Sequence, residues 1–230
     1  MAVKRIFTGV GNEILLMDRV ELIDEMHRSR LVAVVRSKSA EEALATAKAV
    51  AEAGLKFIEI TFSVPRALDV IKRLITEGRL HVGAGTVLST EQAREAVGVG
   101  VKFIVSPSLE LDLIPICHEA AVACIPGAAT PTEILTAARA KADLVKVFPA
   151  DTVGGPHFIR QMSGPFPEVR FVVSGGVSLT NVKEYVQAGV TGICLGSAYL
   201  ATTLAQKGSG GLVNELQQFV KLIKEAQAPK

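Results

Sequence analysis

The chain predicts a (β/α)8 TIM barrel with an extra N-terminal helix, and three observations carry that expectation. Short apolar segments alternate with longer Ala- and Glu-rich segments, at intervals of roughly 20–25 residues. The length of 230 residues suits one such barrel. A faint repeat recurs at helix-to-strand junctions, as Ala53-Gly-Leu-Lys-Phe-Ile, Val99-Gly-Val-Lys-Phe-Ile and Ala188-Gly-Val-Thr-Gly-Ile. A doubly wound open sheet is the competing arrangement, but it rarely needs eight regular strands at this size.

Before residue 30, Val20, Leu22, Ile23 and Met26 stand at near-helical spacing and predict a helix covering the barrel's bottom. Strands are predicted over 31–36, 56–62, 81–87, 101–106, 122–126, 144–148, 171–174 and 192–195. Helix starts follow from hydroxyls placed just before acidic residues. Ser39 precedes Glu41-Glu42, Ser89 precedes Glu91, and Thr130-Pro131-Thr132-Glu133 combines a cap with a proline in the first turn. Gly54, Gly100 and Gly189 mark helix ends, where the chain reverses through a conformation glycine tolerates. No linker interrupts the pattern, so residues 1–230 read as a single barrel domain, with 1–30 the extension and helix and 31–230 the barrel.

Composition narrows the function. Hydrophobic residues make up 49% and aromatics 5%, without Trp, which fits an aliphatic α/β core. The 25 basic and 23 acidic residues leave a net charge of +2 with no dense basic run, so neither nucleic acid nor a membrane surface is an expected partner. Cys117, Cys124 and Cys194 are odd in number, apolar in setting and without metal-ligand spacing. They read as reduced core thiols of a cytoplasmic protein, with no metal expected. Cys117-His118 has no partner nearby in sequence, and His81 and His157 read as structural or surface residues. The basic residues near Met1 are not followed by a long apolar stretch, which excludes a secretory signal, and no segment reaches the ~20 apolar residues of a membrane span.

Lys146 is the anomaly. It interrupts the apolar strand Asp143-Leu-Val-Lys146-Val-Phe148-Pro149, on the face shared by Leu144 and Phe148. A lysine is almost never buried without a partner. It either pairs or snorkels, or it serves as an amine whose nucleophilic neutral form is favoured by lost hydration. Glu59 likewise interrupts the second strand, Lys56-Phe-Ile-Glu59-Ile-Thr-Phe62. Strands two and six are both even-numbered, so these two side chains can share an interior layer. A buried ion pair is a poor route to stability, so two such charges point to a site.

Barrel chemistry sits at the C-terminal strand ends. There the third strand ends Gly83-Ala-Gly85-Thr86, with small residues permitting close approach and a hydroxyl at Thr86. The seventh ends Ser174-Gly175-Gly176 and the eighth Gly196-Ser197-Ala198. Small-residue loops after strands seven and eight are where barrels commonly hold a phosphate on backbone N–H groups. A buried amine, a carboxylate and a phosphate cradle together suggest covalent amine catalysis on a phosphorylated carbonyl compound.

These residues resemble the class I 2-keto-3-deoxy-6-phosphogluconate (KDPG) aldolases, a family often also acting on 4-hydroxy-2-oxoglutarate (KHG). The matching segments are Glu59-Ile-Thr-Phe, Gly83-Ala-Gly-Thr86-Val, Ile104-Val-Ser-Pro107, Ile125-Pro-Gly127, Val145-Lys146-Val-Phe148-Pro-Ala, Gly164-Pro-Phe166, Ser174-Gly-Gly176 and Gly196-Ser197. The resemblance implies that Lys146 forms a Schiff base and Glu59 is the general acid/base. It further implies that Thr86 holds the pyruvyl carboxylate, Pro107 and Phe148 line the pyruvyl pocket, and Gly175, Gly176, Gly196 and Ser197 bind phosphate. It also implies a cytoplasmic homotrimer that needs no cofactor and takes a phosphorylated 2-keto acid.

Two positions depart from the family pattern. Many members have an arginine four residues after the glutamate, where this chain has Ser63. Arg36, at the end of the first strand, is the first candidate to replace it as a carboxylate partner, and Arg66 the second. Ser174 stands where the family commonly has Thr, a position linked to stereochemical preference. A serine keeps the hydroxyl, so preference for the gluconate-derived substrate is expected to survive. The alternatives are a thiamine-phosphate synthase-like transferase, which leaves Lys146 and Glu59 without roles, and a non-catalytic sugar-phosphate sensor.

Overall fold

The computed structural model describes residues 19–228. The readings made on earlier residues, including the absence of a secretory signal, lie outside the described residues. All strands are parallel, in the order β5-β4-β3-β2-β1-β9-β8-β7-β6. They are β1 (Leu31–Val35), β2 (Phe57–Thr61), β3 (His81–Gly85), β4 (Phe103–Val105), β5 (Ala123–Ile125), β6 (Gly127–Ala128), β7 (Val145–Val147), β8 (Phe171–Ser174) and β9 (Gly192–Leu195).

The eight predicted strands are present, and the fifth is split into β5 and β6 at Pro126. Proline has no N–H to give the ladder. Its carbonyl still accepts from Lys146 N at 2.9 Å, while Gly127 N turns to Ser108 O at 2.9 Å. The split strand therefore pairs with β4 through one half and with β7 through the other, closing the barrel through Pro126.

The helices fall between the strands: α1 (Arg19–Ser29), α2 (Ala40–Glu52), α3 (Ala67–Glu77), α4 (Thr90–Gly98), α5 (Leu113–Glu119), α6 (Pro131–Arg139), α7 (Gly155–Ser163), α8 (Val182–Gln187) and α9 (Ser197–Gln227). Their starts follow the predicted caps. Ser39 Oγ accepts from Glu42 N at 3.2 Å, Ser89 Oγ accepts from Gln92 N at 3.2 Å, and Thr130 and Glu133 form a reciprocal capping box. Gly54, Gly100 and Gly189 follow helix ends with φ of 84°, 90° and 85°.

Alternation along each strand sorts the core into two layers. Val145 and Val147 face outward into the cluster shared with the helices. Val32, Val34, Phe57, Phe103, Leu144 and Val172 fill the barrel interior, and Leu22, Ile23 and Met26 of α1 join them from below. Ion pairs Arg19–Asp143 (2.9 Å) and Asp24–Arg170 (3.0 Å), with a hydrogen bond between Glu25 and His81 (3.0 Å), fasten α1 around that rim. Val20 departs from the expected apolar face and is 57% exposed. Two residues before Leu22, it lies about 200° around the helix from it.

Candidate active site

Above the interior cluster, the C-terminal strand ends open into a cavity of about 950 Å³. Arg36, Glu59, Thr86, Pro107, Lys146, Phe148, Ser174, Gly175, Gly176, Gly196 and Ser197 all line it. Ser63 and Arg66 do not, among the residues described as lining it.

The inner end stands on strands. Lys146 points inward from β7 because Val145 and Val147 on either side face the helices; it is 6% exposed. Its Nζ lies 5.0 Å from the centroid of the Phe148 ring, a cation–π distance. Glu59 points inward from β2 and is 1% exposed. Its Oε2 is buried with no hydrogen-bond partner. Space for that carboxyl is made by Gly85, since a Cβ there would sit 1.9 Å from Glu59 Oε1.

Burial raises the Glu59 pKa above the usual carboxylate range, against the opposing charges of Lys146 and Arg36. A carboxyl so placed holds a proton more readily than an ordinary one. With one oxygen unpartnered, it is free to exchange that proton with whatever enters.

Arg36 leaves the end of β1 and its Nη2 donates to Thr86 Oγ1 at 2.9 Å. That bond uses the hydroxyl as an acceptor, so its own proton stays available to a bound carboxylate. Thr86 has φ of 55°, a left-handed backbone that a β-branched residue adopts only under strain. Arg66 instead starts α3, pairs with Asp69 at 2.9 Å and has a side chain 74% exposed. Ser63 Oγ lies 2.8 Å from Thr61 Oγ1. Gly127 lets the Pro107 wall pack against the split strand, since a Cβ there would meet Pro107 O at 2.3 Å.

Farther out, the β8 and β9 loops lie side by side, because those strands pair directly. Gly175 and Gly176 have φ of 104° and 66°, and a Cβ on Gly176 would lie 2.3 Å from Asp151 Cβ. Ser197 is the first residue of α9, so the unpaired N–H groups of that helix start face the same region. Neutral donors and a helix start make an anion cradle.

The histidines and cysteines singled out in the sequence lie outside the cavity lining. His118 pairs with Asp143 at 3.1 Å, and His157 is exposed on α7. Cys117, Cys124 and Cys194 are buried. Burial, with Glu59 nearby, pushes the Cys194 thiol up to about 12, which keeps it protonated near neutrality. Sequence reasoning missed the outermost wall, which includes Tyr199, Gln206, Lys207 and Glu215. The single signal for it was the breaker cluster Gly208-Ser-Gly-Gly within an otherwise helical stretch.

A family model described as KDPG and KHG aldolase matches residues 22–216. A 2-dehydro-3-deoxy-phosphogluconate aldolase of Pseudomonas aeruginosa is 34% identical over 206 residues, covering 88% of this chain and 93% of its own. A solved structure described as native KDPGal is 30% identical with a TM-score of 0.77, over 85% of this chain and 95% of that one. A KDPG aldolase from Legionella pneumophila, with pyruvate captured as a covalent carbinolamine intermediate, is 25% identical with a TM-score of 0.73, over 92% and 99% of the two chains. Among the described residues, no helix is long and apolar enough to cross a membrane, and no group of three or more His, Cys, Asp or Glu is placed to hold a metal ion.

Proposed function

The chain belongs to the KDPG and KHG aldolase family, and we propose that Lys146 and Glu59 perform its carbon–carbon cleavage. The observation that carries this reading is the pairing of an unpartnered, buried Glu59 oxygen with a buried lysine at the inner end of one cavity.

The neutral amine of Lys146 adds to the C2 ketone of 2-keto-3-deoxy-6-phosphogluconate. Glu59 supplies the proton with which the carbinolamine oxygen leaves as water, giving an iminium. The carboxylate so formed takes the proton of the C4 hydroxyl. The C3–C4 bond breaks, glyceraldehyde 3-phosphate leaves, and the electron pair enters the iminium to form an enamine. Glu59 then returns the proton to C3, and water releases pyruvate from Lys146. One group must give and take protons within a single turnover, and burial shifts this carboxyl toward the protonated form from which it can donate.

Thr86, with Arg36 behind it, is placed to hold the keto acid's carboxylate, which gives Arg36 the task that Ser63 cannot perform. Pro107 and Phe148 wall the pyruvyl carbons, and Ser174 faces the hydroxyl-bearing ones. The Gly175-Gly176 and Gly196-Ser197 loops take the phosphate. A smaller keto acid with a distal carboxylate, 4-hydroxy-2-oxoglutarate, fits the same polarity and would yield glyoxylate. The family reading also makes the working unit a cofactor-free, cytoplasmic homotrimer, checked by sedimentation equilibrium and by turnover that survives EDTA.

A coupled assay of pyruvate release from 2-keto-3-deoxy-6-phosphogluconate tests the proposal. Turnover that depends on Lys146 supports it. Tight binding of the phosphorylated sugar acid without release would favour a sensor, and pyrophosphate release from a thiamine precursor would favour the transferase.

A further inference from the structure

The cavity's outer wall is the first arm of α9, residues 197–207. It begins at the phosphate loop and ends where Gly208 takes φ 67° and ψ −176°, outside the helical region. The bend brings Glu215, on the second arm, back against the first. One carboxylate oxygen of Glu215 accepts from the Tyr199 hydroxyl and the other pairs with the Lys207 ammonium. The Glu215 side chain is 14% exposed and that of Lys207 53%, so the carboxylate sits within the wall and the ammonium at the mouth.

Among the described residues, three cations line the cavity: Arg36, Lys146 and Lys207. The first two are committed at the inner end. The cradle of Gly175, Gly176 and Ser197 offers neutral N–H donors and a partial helix-end charge, which fits a phosphate's shape but does not balance its two negative charges. We propose that Lys207 is the specificity-determining cation for that phosphate, with Glu215 holding it at the mouth and tempering its charge until substrate competes for it. The proposal rests on reading this cavity as the aldolase site. Glu215 is held below the usual carboxylate range, first by Lys207 and then by Tyr199. It therefore stays ionised across the working pH range and opposes an incoming dianion.

That arrangement makes opposite predictions for its two members. Lys207→Met raises KM for the phosphorylated substrate about tenfold, and the Ki of inorganic phosphate in parallel, with kcat changed far less. Glu215→Gln keeps an acceptor for Tyr199 but removes the competing charge, and lowers the phosphate Ki about threefold. The unphosphorylated analogue 2-keto-3-deoxygluconate distinguishes charge from shape, since its KM moves less than twofold in either variant. A wall with only a structural role moves both variants in the same direction and affects both substrates alike, which overturns the proposal. So does a phosphate Ki that Lys207→Met leaves in place while the parent turns over normally. Failure of the parent to release pyruvate would instead sink the aldolase reading. Thermal midpoints show that each variant is folded.

Discussion

Among the described residues, a lysine and a glutamate line each end of the cavity, and the two ends differ in opposite directions. At the inner end Glu59 is 1% exposed, has an oxygen without a partner, and has its pKa raised by burial. At the mouth the Glu215 side chain is 14% exposed, has both oxygens engaged by Lys207 and Tyr199, and is pushed the other way by those bonds. The lysines differ in parallel, Lys146 at 6% exposed and the Lys207 side chain at 53%. On the proposed roles, identical residue types serve chemistry where desolvation is left uncompensated, and binding where hydrogen bonds hold the charge in place.

The sharpest way to break that contrast is to delete each lysine. Lys146→Met is expected to reduce kcat by roughly 10⁴-fold or more, as loss of a covalent nucleophile does, against a modest KM effect at Lys207. Comparable losses measured for the two in the coupled assay would erase the distinction.

Glu59→Gln comes next, with a loss of roughly 10²–10⁴-fold in kcat. The same substitution tests the protonation argument through stability. The folded-state pKa of Glu59 is raised, so the folded protein holds its proton above the usual 4.5, where the unfolded chain has lost it. Stability is therefore present below that value and is lost as pH rises toward the folded pKa. Glu215 has the opposite sign: its stabilisation is present above the usual 4.5 and is lost as pH falls through its lowered pKa. Urea midpoints from pH 4 to 8 should show Glu59→Gln gaining on the parent as pH rises. Glu215→Gln should trail the parent at and above the usual 4.5, with the deficit closing as pH is taken lower. Parallel trends would contradict the assignment.

Gly85→Ala probes the inner end without touching a charge. The added Cβ would lie 1.9 Å from Glu59 Oε1, so the carboxyl must move, at a loss of about a hundredfold in kcat/KM. The smallest effect concerns Ser174. Turnover of the gluconate-derived substrate should exceed that of its galactonate epimer, and Ser174→Thr should sharpen the preference severalfold. Strong galactonate preference in the parent would exclude Ser174 as the discriminating group.

The two ends also differ in how far they could be read from sequence. Lys146 and Glu59 are single charges in apolar strands, and the strand period of two residues places each on a defined face. The cradle loops announced themselves through small residues at strand ends, and the caps of α2, α4 and α6 through Ser39, Ser89 and Thr130. Other features depend on single dihedral angles or on turns that a residue pattern does not encode. Whether Arg36 or Arg66 faces the cavity is decided by where β1 ends and how α3 starts. The pairing of Tyr199 and Lys207 with Glu215 depends on the bend at Gly208. The fifth strand was expected to stop at Pro126, yet Gly127 and Ala128 pair with β7 beyond it, because proline's carbonyl still accepts.

Lys146 is proposed as the amine that becomes covalently bound. Incubation with pyruvate and borohydride, followed by mass analysis of the peptides, tests it directly. A reduced pyruvyl adduct is expected on the peptide carrying Lys146, absent in Lys146→Met and unaffected in extent by Lys207→Met. An adduct on another lysine, or none in the parent protein, would contradict it.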